Sequence, residues 1–236
     1  MAKPKVVAIS GAAGGLGPTV ARAFFEAGAS IALAGRSEEK LVHLLDSLGA
    51  PPDRRLATAV DLGDAAAAAA WADAVRAKFG RVDAVLHLVG GYKGGAALTD
   101  VSLSDWKELE GMLVGTTLCV VRAFAGMLKT GGARFIGVTS PKVQAPTAKS
   151  ALYAMAKAAS DALVLALADE LRGTGSTANL VVVDSIDFPE TRGSGPRKPY
   201  GKSTPAEEIA AAMLFLCSDA AATINGVRLP LTGRGQ

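Results

Sequence analysis

Cysteine is nearly absent from this chain: Cys119 and Cys217 stand far apart and outside any CxxC pattern. That spacing excludes a disulfide framework and a thiolate zinc site, and a reducing compartment fits it best. Histidine is as scarce, with His43 and His87 separated and no acid cluster joining them, so no metal site is expected. An excess of one charge is missing too: 25 Lys and Arg against 22 Asp and Glu leave a net charge of +3, scattered rather than banded, which argues against nucleic acid. Long hydrophobic runs are short as well. After the basic start, the first apolar run breaks at Gly11 after about five residues, below the ~7–15 of a signal h-region. No other segment reads as the ~20 apolar residues of a membrane span. A cytoplasmic protein without a membrane partner is the expectation.

What is present is a 236-residue chain, 50% hydrophobic and 20% charged, enough for one compact α/β domain over residues 1–236. Apolar runs, "KVVAIS", "SIALA", "RLATAV", "AVLHL", "ARFIGVT", "ANLVVV" and "VRLPL", are separated by helix-like stretches. Near-continuous apolar strands, rather than strands of alternating polarity, imply a sheet covered on both faces. The reading is a doubly wound, seven-stranded, mainly parallel sheet with helices on both faces. The six alanines from Ala65 to Ala70 read as helix former. One long irregular stretch, residues 187 to 205, has the length of a lid over a site.

"VVAISGAAGGLGPTVARAFFEAG" sets Gly11, Gly15 and Gly17 directly after the first strand, with a helix pattern starting at the last of them. Residues without a β-carbon let backbone approach a pyrophosphate, and the helix N-terminus adds unpaired N–H groups and a positive dipole end. Glycines in a tight strand-to-helix turn can also be purely structural. The second strand ends at Gly35 and Arg36, where an NAD-preferring fold usually carries an acid for the ribose hydroxyls. A guanidinium suits a 2′-phosphate instead, which points to NADP(H) over NAD(H). The alternative is a solvated Arg36, with Ser37 capping the next helix ahead of Glu38 and Glu39.

"ALYAMAKAA" places Tyr153 and Lys157 four positions apart, on one helix face. An ammonium beside a phenol favours phenolate and brings the proton within working range of a ketone. With these residues in view, the sequence resembles the short-chain dehydrogenase/reductase family along nearly its whole length. "SGAAGGLG" is similar to that family's TGxxxGxG loop, Tyr153 to Lys157 to its YxxxK, Ser140 in "GVTSPK" to its catalytic serine, and "VDLGD" to its adenine-pocket motif. "TPAEEIAAAMLFLCSDAAATINGVRLPLTG" resembles its C-terminal pattern.

The resemblance implies a Rossmann-type fold and hydride transfer between a nicotinamide cofactor and a small carbonyl or alcohol. It implies catalytic roles for Ser140, Tyr153 and Lys157. It implies cofactor binding by Gly11, Gly14, Gly15, Leu16, Gly17, Arg36, Ser37, Asp61, Leu62, Val89, Gly90, Tyr153, Lys157 and Ile186. It also implies a homodimer or homotetramer formed by two long helices, expected from Asp105 to Lys129 and from Ser150 to Arg172.

The chain departs from the family pattern at four places. His87 and Leu88 replace two asparagines before Val89 and Gly90, and His87 reads as a hydrogen-bonded core histidine. Leu113 stands where a catalytic asparagine is usual; Thr116 and Thr117 follow one turn later, and bonding back to the helix is their expected use. Val183 and Asp184 replace a proline-glycine, and Phe188 a threonine. The stretch after it carries Arg192, Arg197, Lys198 and Lys202, a polar loop or a basic lid for an anionic substrate. A binding protein of this fold that has lost turnover is the alternative these departures raise.

Overall fold

The computed structural model describes residues 5–189 and 203–231. Seven strands form one sheet in the order β3-β2-β1-β4-β5-β6-β9, every neighbouring pair parallel. They are β1 (Val6–Ser10), β2 (Ser30–Gly35), β3 (Arg55–Ala59), β4 (Ala84–His87), β5 (Arg134–Thr139), β6 (Thr177–Val182) and β9 (Arg228–Pro230). These coincide with the seven apolar runs of the sequence. A second, two-stranded parallel ladder of β7 (Ser185–Asp187) and β8 (Ser203–Pro205) brackets the segment expected as a lid. Its three-residue strands are too short to leave a periodic signal.

Alternation along the strands divides the core in two. Val7, Ile9, Ile31, Leu33, Leu86 and Ile136 point to a layer with Val20 and Phe24 of α1 (Gly17–Glu26), Leu41 and Leu45 of α2 (Glu38–Ser47), and Ile209 and Met213 of α7 (Ala206–Leu216). Val6, Ala8, Ala32, Val85, Phe135 and Leu180 point to the opposite layer. There they meet Trp71 and Val75 of α3 (Ala65–Phe79), Val120 and Phe124 of α5 (Thr116–Leu128), and Val164 and Leu167 of α6 (Ala151–Glu170). Both faces of the sheet are covered, which is why its strands read as unbroken apolar runs.

Local chemistry fixes the helix ends. Asp64 caps α3 by accepting from the N–H groups of Ala66 and Ala67, and Gly80 ends it in the left-handed conformation with φ 76°. The helix expected from Asp105 to Lys129 is interrupted: α4 (Leu103–Leu109) runs into a π-helical turn, Glu110–Gly115, and then into α5. Thr116 and Thr117 hydroxyls bond back to the carbonyls of Met112 and Leu113, each at 2.6 Å, as expected of mid-helix threonines.

One expectation is corrected. The helical stretches Leu103–Leu128 and Ala148–Glu170 do have the length and apolarity of a membrane span. Each is apolar on two sides: one packs on the sheet, while the other leaves Leu118 and Met155 exposed.

Gly17 marks where α1 presses on the loop before it, since an added Cβ would lie 2.0 Å from the Ala12 carbonyl oxygen. Gly17→Ala is expected to destabilise by about 2 kcal/mol or more. Gly126→Ala, in α5 with nothing within 4 Å of the added carbon, is expected to stabilise by about 0.5–1 kcal/mol. Urea unfolding of both variants checks the pair.

Candidate active site

The chain leaves β1 and turns at Gly11, whose φ of 74° lies in the left-handed region and whose Cβ would sit 2.7 Å from the Val89 nitrogen. Here the loop after β1 crosses the loop after β4, so Gly11, Val89 and the adjoining Gly90 lie together at the reversal of strand order between β1 and β4. The turn is closed by Gly14 N–H donating to the Gly11 carbonyl at 3.0 Å and Gly17 N–H to the Gly14 carbonyl at 3.1 Å. Leu16 stands at the N-cap of α1 and supplies no side-chain cap. Gly17 N–H is taken by the Gly14 carbonyl and Pro18 has none, so the Leu16 and Thr19 N–H groups are those left for an anion at this end of α1, and this glycine cradle fits a dinucleotide phosphate. The Phe188 ring lies against Gly15, 2.9 Å from where its Cβ would be.

At the ends of β2 and β3, Arg36 is exposed and makes no hydrogen bond or ion pair among the described residues. Ser37 caps α2 by accepting from Lys40 N–H at 3.4 Å, with Glu38 and Glu39 in the first turn. Val60 N–H donates to the Gly35 carbonyl at 2.9 Å, which ties the turn after β3, just before Asp61, to the end of β2. Asp61 Oδ1 accepts from Gly63 N–H at 2.9 Å, while Leu62 is buried in the core.

Ser140 directly follows β5, buried, and its hydroxyl accepts from Lys142 N–H at 3.3 Å. Across from it, α6 carries Tyr153 and Lys157. Lys157 is buried and its Nζ donates to the Val138 carbonyl of β5 at 2.9 Å. Burial lowers this ammonium to about 8, with Asp161 opposing the shift. The Tyr153 phenol is held above its ordinary value by burial first; Ser140 opposes this, and Tyr92, Asp184 and Asp161 add to it. The sequence reading expects Lys157 to draw the phenol down, but here burial outweighs every favourable neighbour. The structure thus gathers Ser140, Tyr153 and Lys157 at one strand end, with Ile186 on the next loop, in β7.

An apolar cluster that includes Leu113 accounts for part of that burial. The π-helical turn packs the Leu113 side chain with Leu109 and Ala156 in this small cluster, which also meets Tyr153. The Leu113 carbonyl accepts from the hydroxyls of Thr117 at 2.6 Å and Ser160 at 3.0 Å. His87 is buried between Ser10, at 2.8 Å from Nδ1, and Thr117, at 3.1 Å from Nε2. Burial, then the charge of Lys157, lowers it to about 3, so it is a neutral, hydrogen-bonded core imidazole, as read from the sequence.

Other contacts of the site escaped sequence reasoning. The Tyr92 ring meets Tyr153 edge-on, centroids 5.1 Å apart, from a glycine-rich loop with no periodic signal. Asp161 is fully buried, one oxygen 2.8 Å from Arg228 Nε and the other without a partner among the described residues. Its spacing one turn after Lys157 was the available signal. Lys142 and Asp184, on the loops after β5 and β6, form an ion pair at 3.0 Å. The basic residues Arg192, Arg197, Lys198 and Lys202 lie outside the described residues.

A family profile described as enoyl-(acyl carrier protein) reductase matches residues 11–233. Meso-2,3-butanediol dehydrogenase of Serratia marcescens is 32% identical, over 97% of this chain and 93% of its own. Among solved structures, a blue fluorescent protein from a metagenomic library, in complex with NADPH, superposes with a TM-score of 0.85 at 25% identity, covering 98% of this chain and 97% of its own. The 3-ketoacyl-(acyl-carrier-protein) reductase of Brucella melitensis, complexed with NADH, gives 0.85 at 26% identity, covering 98% of each chain. The parallel sheet, the glycine turn and these matches define an oxidoreductase of the kind that acts on alcohols and carbonyls. The chain belongs to the short-chain dehydrogenase/reductase family. Neighbours holding NADPH or NADH support a nicotinamide cofactor.

His87 generates a pH prediction. Its ordinary value of 6.5 falls to about 3 in the fold, so its contribution to stability is complete above pH 6.5 and is lost as pH falls toward the folded value. The loss is roughly 1 kcal/mol per pH unit. Urea midpoints measured between pH 7 and 4 should fall less steeply in His87→Gln than in the parent.

Proposed function

We propose that the chain is an NADP(H)-dependent oxidoreductase that interconverts a small carbonyl and its alcohol by hydride transfer, through Ser140, Tyr153 and Lys157. The observation that carries this reading is the meeting of those three side chains at the end of β5, across the strand-order reversal from an uncapped glycine turn. When bound, the reduced dinucleotide supplies the hydride and is oxidised as the carbonyl is reduced. Ser140 holds the carbonyl oxygen. Tyr153 gives its proton to that oxygen as the new C–H bond forms, and takes it back in the reverse direction. A phenol raised by burial keeps its proton at neutral pH, which suits the reductive direction. Lys157 holds nicotinamide ribose hydroxyls with the donors that Val138 leaves free.

Cofactor binding is assigned to the glycine turn, from Gly11 through Gly14, Gly15 and Leu16 to Gly17, with Val89, Gly90 and Ile186 nearer the reacting ring. Arg36 and Ser37 take the 2′-phosphate, and Asp61 and Leu62 flank the adenine. The guanidinium at the end of β2, unpaired among the described residues, supports the preference for NADP(H). In this reading the chain is one dinucleotide-binding domain of the cytoplasm. It pairs as a homodimer or homotetramer through α5 and α6, where Leu118 and Met155 are exposed. The butanediol dehydrogenase relative supports a small alcohol or ketone substrate. A dinucleotide-binding protein without turnover is the second reading, favoured by the apolar Leu113 in the cluster that packs against Tyr153.

One assay tests both: oxidation of NADPH and of NADH across a panel of small ketones and aldehydes, by the parent, Tyr153→Phe and Arg36→Asp. The reading expects the parent to favour NADPH. It expects Tyr153→Phe to lose about 100-fold or more in kcat, and Arg36→Asp to shift preference toward NADH by about tenfold or more. Cofactor binding without Tyr153-dependent turnover selects the second reading.

A further inference from the structure

Lys142 and Asp184 stand where neither the fold nor the proton chemistry requires a charged pair. Lys142 follows Ser140 by two residues, and its N–H holds the Ser140 hydroxyl at 3.3 Å. Asp184 ends the stretch after β6 and lies close enough to Tyr153 for its charge to bear on the phenol. The two side chains meet at 3.0 Å between Lys142 Nζ and Asp184 Oδ1, and remain 28% and 31% exposed. The pair is therefore a clasp across two loops at the strand ends, partly open to solvent, on the loops that follow the strands flanking Ser140.

Its polarity says what it can recognise. One carboxylate oxygen is used in the clasp, and Oδ2 has no partner among the described residues. The ammonium has two further N–H donors. An acceptor and a donor thus sit side by side with their net charge cancelled. A lone lysine would draw an anion, but one already neutralised at 3.0 Å gives a carboxylate or phosphate little advantage, and Asp184 repels it. A neutral hydroxyl, able to donate to Oδ2 and accept from Nζ, answers both groups. A purely apolar substituent would cover them and satisfy neither.

We infer that the Lys142–Asp184 clasp is a specificity-determining element, and that the substrate carries a neutral hydroxyl beside the reacting carbon, as a hydroxyketone reduced to a vicinal diol. This rests on the proposed carbonyl–alcohol activity of the Ser140, Tyr153 and Lys157 site.

Isosteric probes isolate the hydroxyl: hydroxyacetone against 2-butanone, which exchange a hydroxyl for a methyl, with pyruvate as the anionic counterpart. The parent should show a kcat/KM for hydroxyacetone about tenfold or more above that for 2-butanone, with pyruvate below hydroxyacetone. In Asp184→Asn and Lys142→Met that ratio should fall by about tenfold. A merely structural clasp would lower both substrates alike and leave the ratio standing, which would overturn the inference, as would a parent ratio near one or a preference for pyruvate.

Calorimetric binding to the NADPH-loaded protein, of 1,2-propanediol against 2-butanol, repeats the comparison without turnover. The parent should favour the diol by a similar factor and Asp184→Asn should lose the difference; equal affinities overturn the inference. Absence of turnover with the diol preference intact would count against the redox reading and leave the clasp standing.

Discussion

The hydrogen bond from the buried Lys157 ammonium to the Val138 carbonyl is the interaction on which the rest of the site depends. Removing a lysine head group from water is costly, and it is tolerated here because a strand carbonyl receives it and Asp161 lies one turn further along the helix. The consequence is geometric. A helix docked on β5 through its lysine must present the residue one turn earlier, Tyr153, at the end of that strand, where Ser140 waits. Arg228 of β9 holds Asp161 in turn, so the outermost strand of the sheet helps to fix the helix that carries the phenol.

Apolar packing beside this polar centre sets its chemistry. Leu113, presented by the π-helical turn, joins Tyr153 in a small cluster, and burial then dominates the phenol. The turn's backbone is not left unsatisfied: its Leu113 carbonyl takes hydroxyls from Thr117 and Ser160. Thr117 in turn meets His87, which bonds Ser10 at the end of β1. A continuous run of buried polar groups thus ties the glycine turn's strand to the π-helical turn and to α6. Each member has a partner, which is what buried polar groups require.

The main sheet was legible because burial on both faces writes unbroken apolar runs into the sequence, and all seven of its strands were found that way. The glycine turn and the Tyr153–Lys157 spacing were legible because their geometry is local, set by residues without a side chain or by one helical turn. The Lys142–Asp184 clasp and the Tyr92 contact were not, since they join loops whose positions depend on the finished sheet. The break in the helix around Leu113 was hidden for a different reason: a π-helical turn uses the same residue types as the helix it interrupts. The direction of the Tyr153 shift was misjudged because charge spacing can be read from a sequence, whereas desolvation requires the neighbours that tertiary packing supplies.

The most direct test of this account is the titration of Lys157 itself, followed by the chemical shift of its side-chain nitrogen in ¹⁵N-lysine-labelled protein, assigned with Lys157→Arg. A lysine buried on the Val138 carbonyl should titrate with a midpoint of about 8. A midpoint at the ordinary 10.5 would place the amine in water, detach α6 from β5 at this point, and remove the reason for Ser140, Tyr153 and Lys157 to meet.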